Sequence, residues 1–66
     1  MAKKFSRNDR IRTTYYYSQT GRIVRYVPIP SREYPGTTME WYQVRFDDGT
    51  GGTIHADMMN RANDAR

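Results

Sequence analysis

The stretch Met39-Glu40-Trp41-Tyr42-Gln43-Val44-Arg45-Phe46 and the turn behind it constrain this chain more than any other feature. Tyr42, Val44 and Phe46 alternate with Trp41, Gln43 and Arg45, the period of a strand with one buried face. Asp47-Asp48-Gly49 follows at once and reads as a hairpin turn, because Asp bonds to its own backbone and Gly tolerates positive φ. Thr50-Gly51-Gly52-Thr53-Ile54-His55 then returns as a strand with Ile54 facing in, and Gly51-Gly52 reads as a bulge or a tight corner.

Upstream, Asn8-Asp9 is a turn signal before a first strand, Arg10-Ile11-Arg12-Thr13-Thr14-Tyr15, whose Ile11, Thr13 and Tyr15 share a face. Tyr16-Tyr17-Ser18-Gln19-Thr20 makes a loop ending at Gly21, a residue free to take positive φ. The second strand is Arg22-Ile23-Val24-Arg25-Tyr26-Val27. Its alternation breaks at the adjacent Ile23 and Val24, so either face is the buried one or a bulge switches them. Residues 28–38 carry all three prolines and read as a long loop. Ala56-Asp57-Met58-Met59 reads as one 3₁₀ or helical turn, with Met58 or Met59 plugging the core, and residues 60–66 as a tail or short helix. Residues 1–8 read as a flexible basic arm. The expectation is all-β: one small SH3-like barrel of four to five antiparallel strands over residues 9–59, with a short 3₁₀ or helical turn near the C-terminus.

Sixty-six residues allow one domain. A chain this short buries about 60% of its unfolded surface, and small domains are often stapled by a disulfide, a metal or oligomerisation. There is no cysteine, and the single histidine, His55, cannot build a zinc site alone. That leaves a compact monomer with an aromatic core or a small homo-oligomer. Absent cysteine fits a reducing cytoplasm. No apolar run approaches the ~20 residues of a membrane span, and the basic start lacks the apolar stretch of a secretory signal. A soluble cytoplasmic protein with no membrane partner is expected.

The pattern resembles bacterial SH3-like barrels and the KOW and Tudor families. Its carriers are Asp9-Arg10-Ile11-Arg12, Thr20-Gly21-Arg22-Ile23-Val24, the run from Trp41 to Thr50, and Ile54-His55-Ala56-Asp57-Met58. KOW-type resemblance implies contact with RNA or polymerase. Tudor-type resemblance implies an aromatic cage for methylated lysine or arginine, its walls falling on Tyr15 or Tyr17, Tyr26, Phe46 and Asp48. There is also a distant resemblance to the type II dihydrofolate reductases, tetramers with a shared pore lined by a Val-Gln-Ile-Tyr run. Here that run reads Gly52-Thr53-Ile54-His55, with Thr53 and His55 in place of the Gln and Tyr. Fold resemblance of this kind does not fix function.

Charge directs the functional reading. The formal net charge is +4, and nine of the eleven cations are arginine. Arginine offers a planar fork of donors to phosphate or carboxylate and stacks on aromatic rings. Arg10, Arg12, Arg22, Arg25 and Arg45 fall on strands, whereas Asp9, Glu33, Asp47, Asp48, Asp57 and Asp64 fall in turns and ends. If Tyr42, Val44 and Phe46 are core, Trp41 and Arg45 face outward, and Trp and Arg are enriched in interface hot spots. The candidate binding residues are therefore Arg10, Arg12, Tyr15, Tyr16, Tyr17, Arg22, Arg25, Trp41 and Arg45. Lys3, Lys4 and Arg7 add charge from the arm.

No catalytic or metal-ligating set and no cofactor motif emerges. His55 is the lone base candidate, Asp47-Asp48 is turn chemistry, and the glycines lack the Lys-Ser/Thr of a phosphate loop. The leading expectation is a non-catalytic module that binds nucleic acid through backbone charge and aromatic stacking. The alternatives are a module docking on an acidic protein surface through Trp41 and the 28–38 segment, including a Tudor-like reader, and last a reductase-like tetramer.

Overall fold

The computed structural model describes residues 3–15 and 18–62. Five antiparallel strands form one sheet: β1 (Arg10–Thr13), β2 (Thr20–Pro30), β3 (Thr38–Phe46), β4 (Gly51–His55) and β5 (Met59–Arg61). A 3₁₀ turn, Ala56–Met58, joins β4 to β5. The strand order is β4-β3-β2-β1-β5, so β1 lies between β2 and the last strand.

On β3 the alternation holds. Tyr42 and Val44 are each 1% exposed and Phe46 7%, while Arg45 is exposed and Trp41 and Gln43 are half-buried. The turn behind it closes through Phe46 N–H to Thr50 C=O (2.7 Å) and Gly49 N–H to Phe46 C=O (3.0 Å). Gly49 sits at φ 95°, the left-handed region that glycine enters without steric cost. The Asp48 carboxylate accepts from both the amide and the hydroxyl of Thr50.

β2 settles the choice its sequence left open. Ile23 pairs with Val44 and Arg25 with Gln43, so Val24 is an extra residue in the ladder. Before this bulge Gly21 and Ile23 face the core; after it Tyr26, opposite Tyr42, does. Gly21 is not a turn residue, because it lies inside β2. A Cβ there would come within 2.5 Å of the Arg45 carbonyl oxygen on β3, so the glycine permits a close strand approach.

Besides the end of β1, three expectations need correction. Residues 28–38 are not one long loop: β2 runs to Pro30 and β3 begins at Thr38, which makes a hairpin arm. Ser31 N–H donates to Thr37 C=O, so by alternation the nitrogens of Pro28 and Pro30 point away from β3. On that side β1 pairs only with residues 20–22 of β2, and no ladder bond is lost. Next, residues 59–61 are neither tail nor helix. They form β5, pairing Ile11 with Arg61 and Thr13 with Met59, and Met59 is fully buried while Met58 is exposed. β1 ends at Thr13 rather than Tyr15.

The third correction is the N-terminal arm, whose described part, residues 3–8, is packed on the body. Phe5 is 2% exposed and meets Tyr42 edge-on, ring centroids 5.5 Å apart. The Lys4 ammonium donates to the carbonyls of Ala56 and Met59, and Asn8 N–H to that of Ile23. The core is thus Phe5, Ile11, Ile23, Tyr42, Val44, Phe46, Ala56 and Met59. Inside it the Tyr42 hydroxyl donates to the Glu40 carboxylate and accepts from the Phe5 amide (3.2 Å). Burial, reinforced by that carboxylate, pushes the Tyr42 hydroxyl up to about 12. The hydroxyl in turn holds Glu40 below its ordinary value, helped by Lys4.

Phe5→Ala is expected to cost about 3–5 kcal/mol, the usual range for emptying a buried aromatic site. Urea unfolding of the variant checks this. An unchanged midpoint would return residues 3–8 to the status of a free arm.

Candidate functional site

The outward face of β1, β2 and β3 collects most of the strand arginines, and the register shows how. Arg10 on β1 is opposite Arg22 on β2, which is opposite Arg45 on β3. Three arginines on adjacent strands therefore form one transverse row, on strands roughly 4.8 Å apart. Arg25 follows, opposite Gln43, and then Val27, Trp41 and His55 in line across β2, β3 and β4. The bulge at Val24 is what keeps Arg22, Arg25 and Val27 on this one face despite their uneven spacing.

The arginines differ in their partners. Arg10 is a two-point contact to Asp47, at 2.8 and 3.2 Å, and the Thr20 hydroxyl donates to the same carboxylate at 2.7 Å. Arg10, then Thr20, hold the Asp47 carboxyl down at about 2. Arg22 donates to the Asn8 carbonyl (3.0 Å), and Arg25 Nε to Gln43 Oε1 (2.9 Å). Among the described residues neither these two nor Arg45 makes an ion pair within 4 Å, although Arg22 lies near enough to Asp47 to help hold its carboxyl down. Arg12 is exposed at the far end of β1, opposite Thr20 and Asn60, beside a shallow cleft of about 410 Å³ shared with Arg61.

Trp41 is half-buried. His55 meets its ring edge-on, centroids 5.1 Å apart. The 28–38 segment does not fold over it, since that segment continues the ladder away from Trp41 as the hairpin arm. The indole N–H is buried and has no hydrogen-bond partner among the described residues. A buried donor of this kind is costly to leave unmade.

Tyr15 is half-buried beyond the Thr13 end of β1 and does not join the arginine row; Tyr16 and Tyr17 lie outside the described residues. Of the aromatic-cage positions, Phe46 belongs to the core and Tyr26 packs against it. Asp48 serves its own turn. His55 caps the 3₁₀ turn, its Nδ1 accepting from the Asp57 amide at 3.0 Å. Among the described residues no group of three or more His, Asp or Glu side chains could hold a metal ion, and no helix is long and apolar enough to cross a membrane.

Sequence reading missed the contribution of Asp47, because an acid in a turn gives no sign that it reaches back to Arg10. It also missed Arg61 on β5, which pairs with Asp9 at 2.9 Å. The register behind the arginine row has no local signature, although the adjacent Ile23 and Val24 do mark the bulge that sets it. Comparison with protein-family models, with curated proteins and with solved structures finds no match.

The Asp47 contact gives a pH prediction. Its carboxyl ionises at about 2 in the folded chain against an ordinary 3.8. Between those values the unfolded chain binds more protons, so the contribution is complete above the ordinary value and is lost as pH falls towards 2. The group is exposed and the effect correspondingly small. Between pH 5 and pH 2 the urea midpoint is expected to fall further for the native chain than for Asp47→Asn. Parallel curves would remove the ion pair from the stability of the fold.

Proposed function

We propose that this chain is a non-catalytic binding module that takes the phosphate backbone of nucleic acid across the outward face of β1, β2 and β3. The observation that carries this reading is the pairing of Arg22 with Arg45. Like charges directly opposite each other in a sheet are destabilising; among the described residues neither makes an ion pair within 4 Å, and the nearby Asp47 is bound by Arg10. A polyanion laid along the row relieves that repulsion. Guanidinium groups suit it, since their donors match phosphate oxygens in two-point contacts. Trp41 and Arg25 extend the surface with a ring edge and a further cation.

The strand order β4-β3-β2-β1-β5, with a 3₁₀ turn between β4 and β5, supports the resemblance to SH3-like barrels. Those barrels serve many functions, so the resemblance is compatible with this reading without selecting it. A second reading is favoured by one specific observation, the half-buried apolar side chains of Val27, Ile29, Met39 and Trp41 that share the outward side of the hairpin arm. A protein partner that covers these side chains would use the other end of the same face.

Fluorescence anisotropy with labelled single- and double-stranded oligonucleotides separates the two. Binding to nucleic acid is expected to weaken steeply between 50 and 200 mM salt, since displaced counterions return to the strand. Arg22→Ala with Arg45→Ala is expected to lower the slope of log K against log salt by about 2, one unit for each lost phosphate contact. Absence of binding at low salt, or affinity indifferent to salt, would overturn the nucleic-acid reading in favour of the protein partner.

A further inference from the structure

The bulge at Val24 does more than switch faces. Beside it, between β2 and the N-terminal segment, lies a cleft of about 440 Å³, within the range of about 300–1,000 Å³ typical of small-ligand sites. Lys3, Arg7 and Arg25 contribute its charge, Val24 and Tyr26 part of its apolar wall, and among the described residues no acidic side chain lines it. One of its sides is firmly held: Phe5 is anchored in the core, Asn8 N–H donates to Ile23 C=O at 2.8 Å, and Ile23 N–H to Asp9 C=O at 3.0 Å. The Lys3 ammonium stands 4.8 Å from the centre of the Tyr26 ring. A face of that ring is thus turned to an exposed side chain rather than packed in the core. Arg25 belongs to this cleft and to the outward face alike, and its Nε is spent on Gln43 while its terminal nitrogens have no partner among the described residues.

We infer that this cleft takes one nucleotide of a single strand whose backbone runs along the arginine row, an inference that rests on the nucleic-acid reading above. The base lies on the Tyr26 ring and against Val24, displacing the Lys3 ammonium from the ring face. The adjoining phosphate takes that ammonium together with the guanidinium of Arg7, and Arg25, turned out to Gln43 at the rim of the cleft, carries the strand on to the arginine row. Inorganic phosphate would use the cations and leave the apolar wall idle; a nucleotide uses both. Bases in a duplex are stacked and paired, so they cannot enter without being unstacked. The site therefore makes the module selective for single strands, which the arginine row alone would not do.

The test compares a fluorescein-labelled single-stranded decamer with the duplex of the same sequence, using the full chain at low salt. Tyr26→Leu keeps the charge and is expected to weaken single-strand binding roughly tenfold, the worth of one stacked base, while duplex affinity stays within about twofold. Lys3→Gln with Arg7→Gln alters only exposed side chains and is expected to weaken the single strand more than the duplex; it decides the matter if Tyr26→Leu fails to melt cooperatively. Arg22→Ala with Arg45→Ala should weaken both forms alike. If the cleft variants leave single-strand affinity unchanged, or lower both forms equally, the cleft is overturned while the arginine row stands. If the native chain binds neither form, both readings fall together.

Discussion

One inserted residue, Val24, sets the arrangement of everything around it. A strand of eleven residues with strict alternation would carry Ile23 inward and then Arg25 inward as well, placing a guanidinium in the core opposite Tyr42. Burying an unpaired charge there would cost several kcal/mol. The extra residue shifts the parity, so that Tyr26 turns in against Tyr42 and Arg25 turns out to Gln43. The same shift aligns Arg22, Arg25 and Val27 on one surface. Core and candidate interface are thus two results of a single irregularity in the ladder.

The core that this produces is small, and the chain completes it from its own N-terminal segment. Phe5 fills a place that no strand residue occupies, and the Tyr42 hydroxyl is satisfied from both sides, by the Glu40 carboxylate and the Phe5 amide. A buried hydroxyl without partners would be a liability; with both bonds made it fixes where the segment lies. Lys4 adds two bonds to carbonyls at the end of the 3₁₀ turn. With no cysteine to cross-link it, the fold is fastened by these contacts between its first and last elements.

The sequence made β3, the Asp-Asp-Gly turn, β4 and the 3₁₀ turn legible, because each carries a local period or a turn residue with its own physical cause. It hid what depends on distant partners. Phe5 stands alone among polar residues, so no periodicity marks it as core. β5 is only Met-Asn-Arg, too short to alternate, and exists because β1 offers it a free edge. Pro28 and Pro30 argue against a strand until the register shows their nitrogens facing away from β3. Among the candidate binding residues, outward orientation could be read from alternation for Arg10, Arg12, Trp41 and Arg45, whereas for Arg22 the broken pattern at Ile23 and Val24 left it open. Their alignment across three strands could not, nor could the neutralisation of Arg10 by Asp47, since both follow from register.

The position of β1 has a consequence for how such a chain is made. β1 is made before the other four strands, yet one of its two neighbours is β5, and Arg61 reaches back 52 residues to Asp9. Closing so long a segment demands an entropy loss that only the finished set of contacts repays. During synthesis, β1 keeps one side unpaired and Met59 remains missing from the core until the last strand has emerged. Until then the sheet carries an open edge at β1, the kind of edge along which one chain can pair with another.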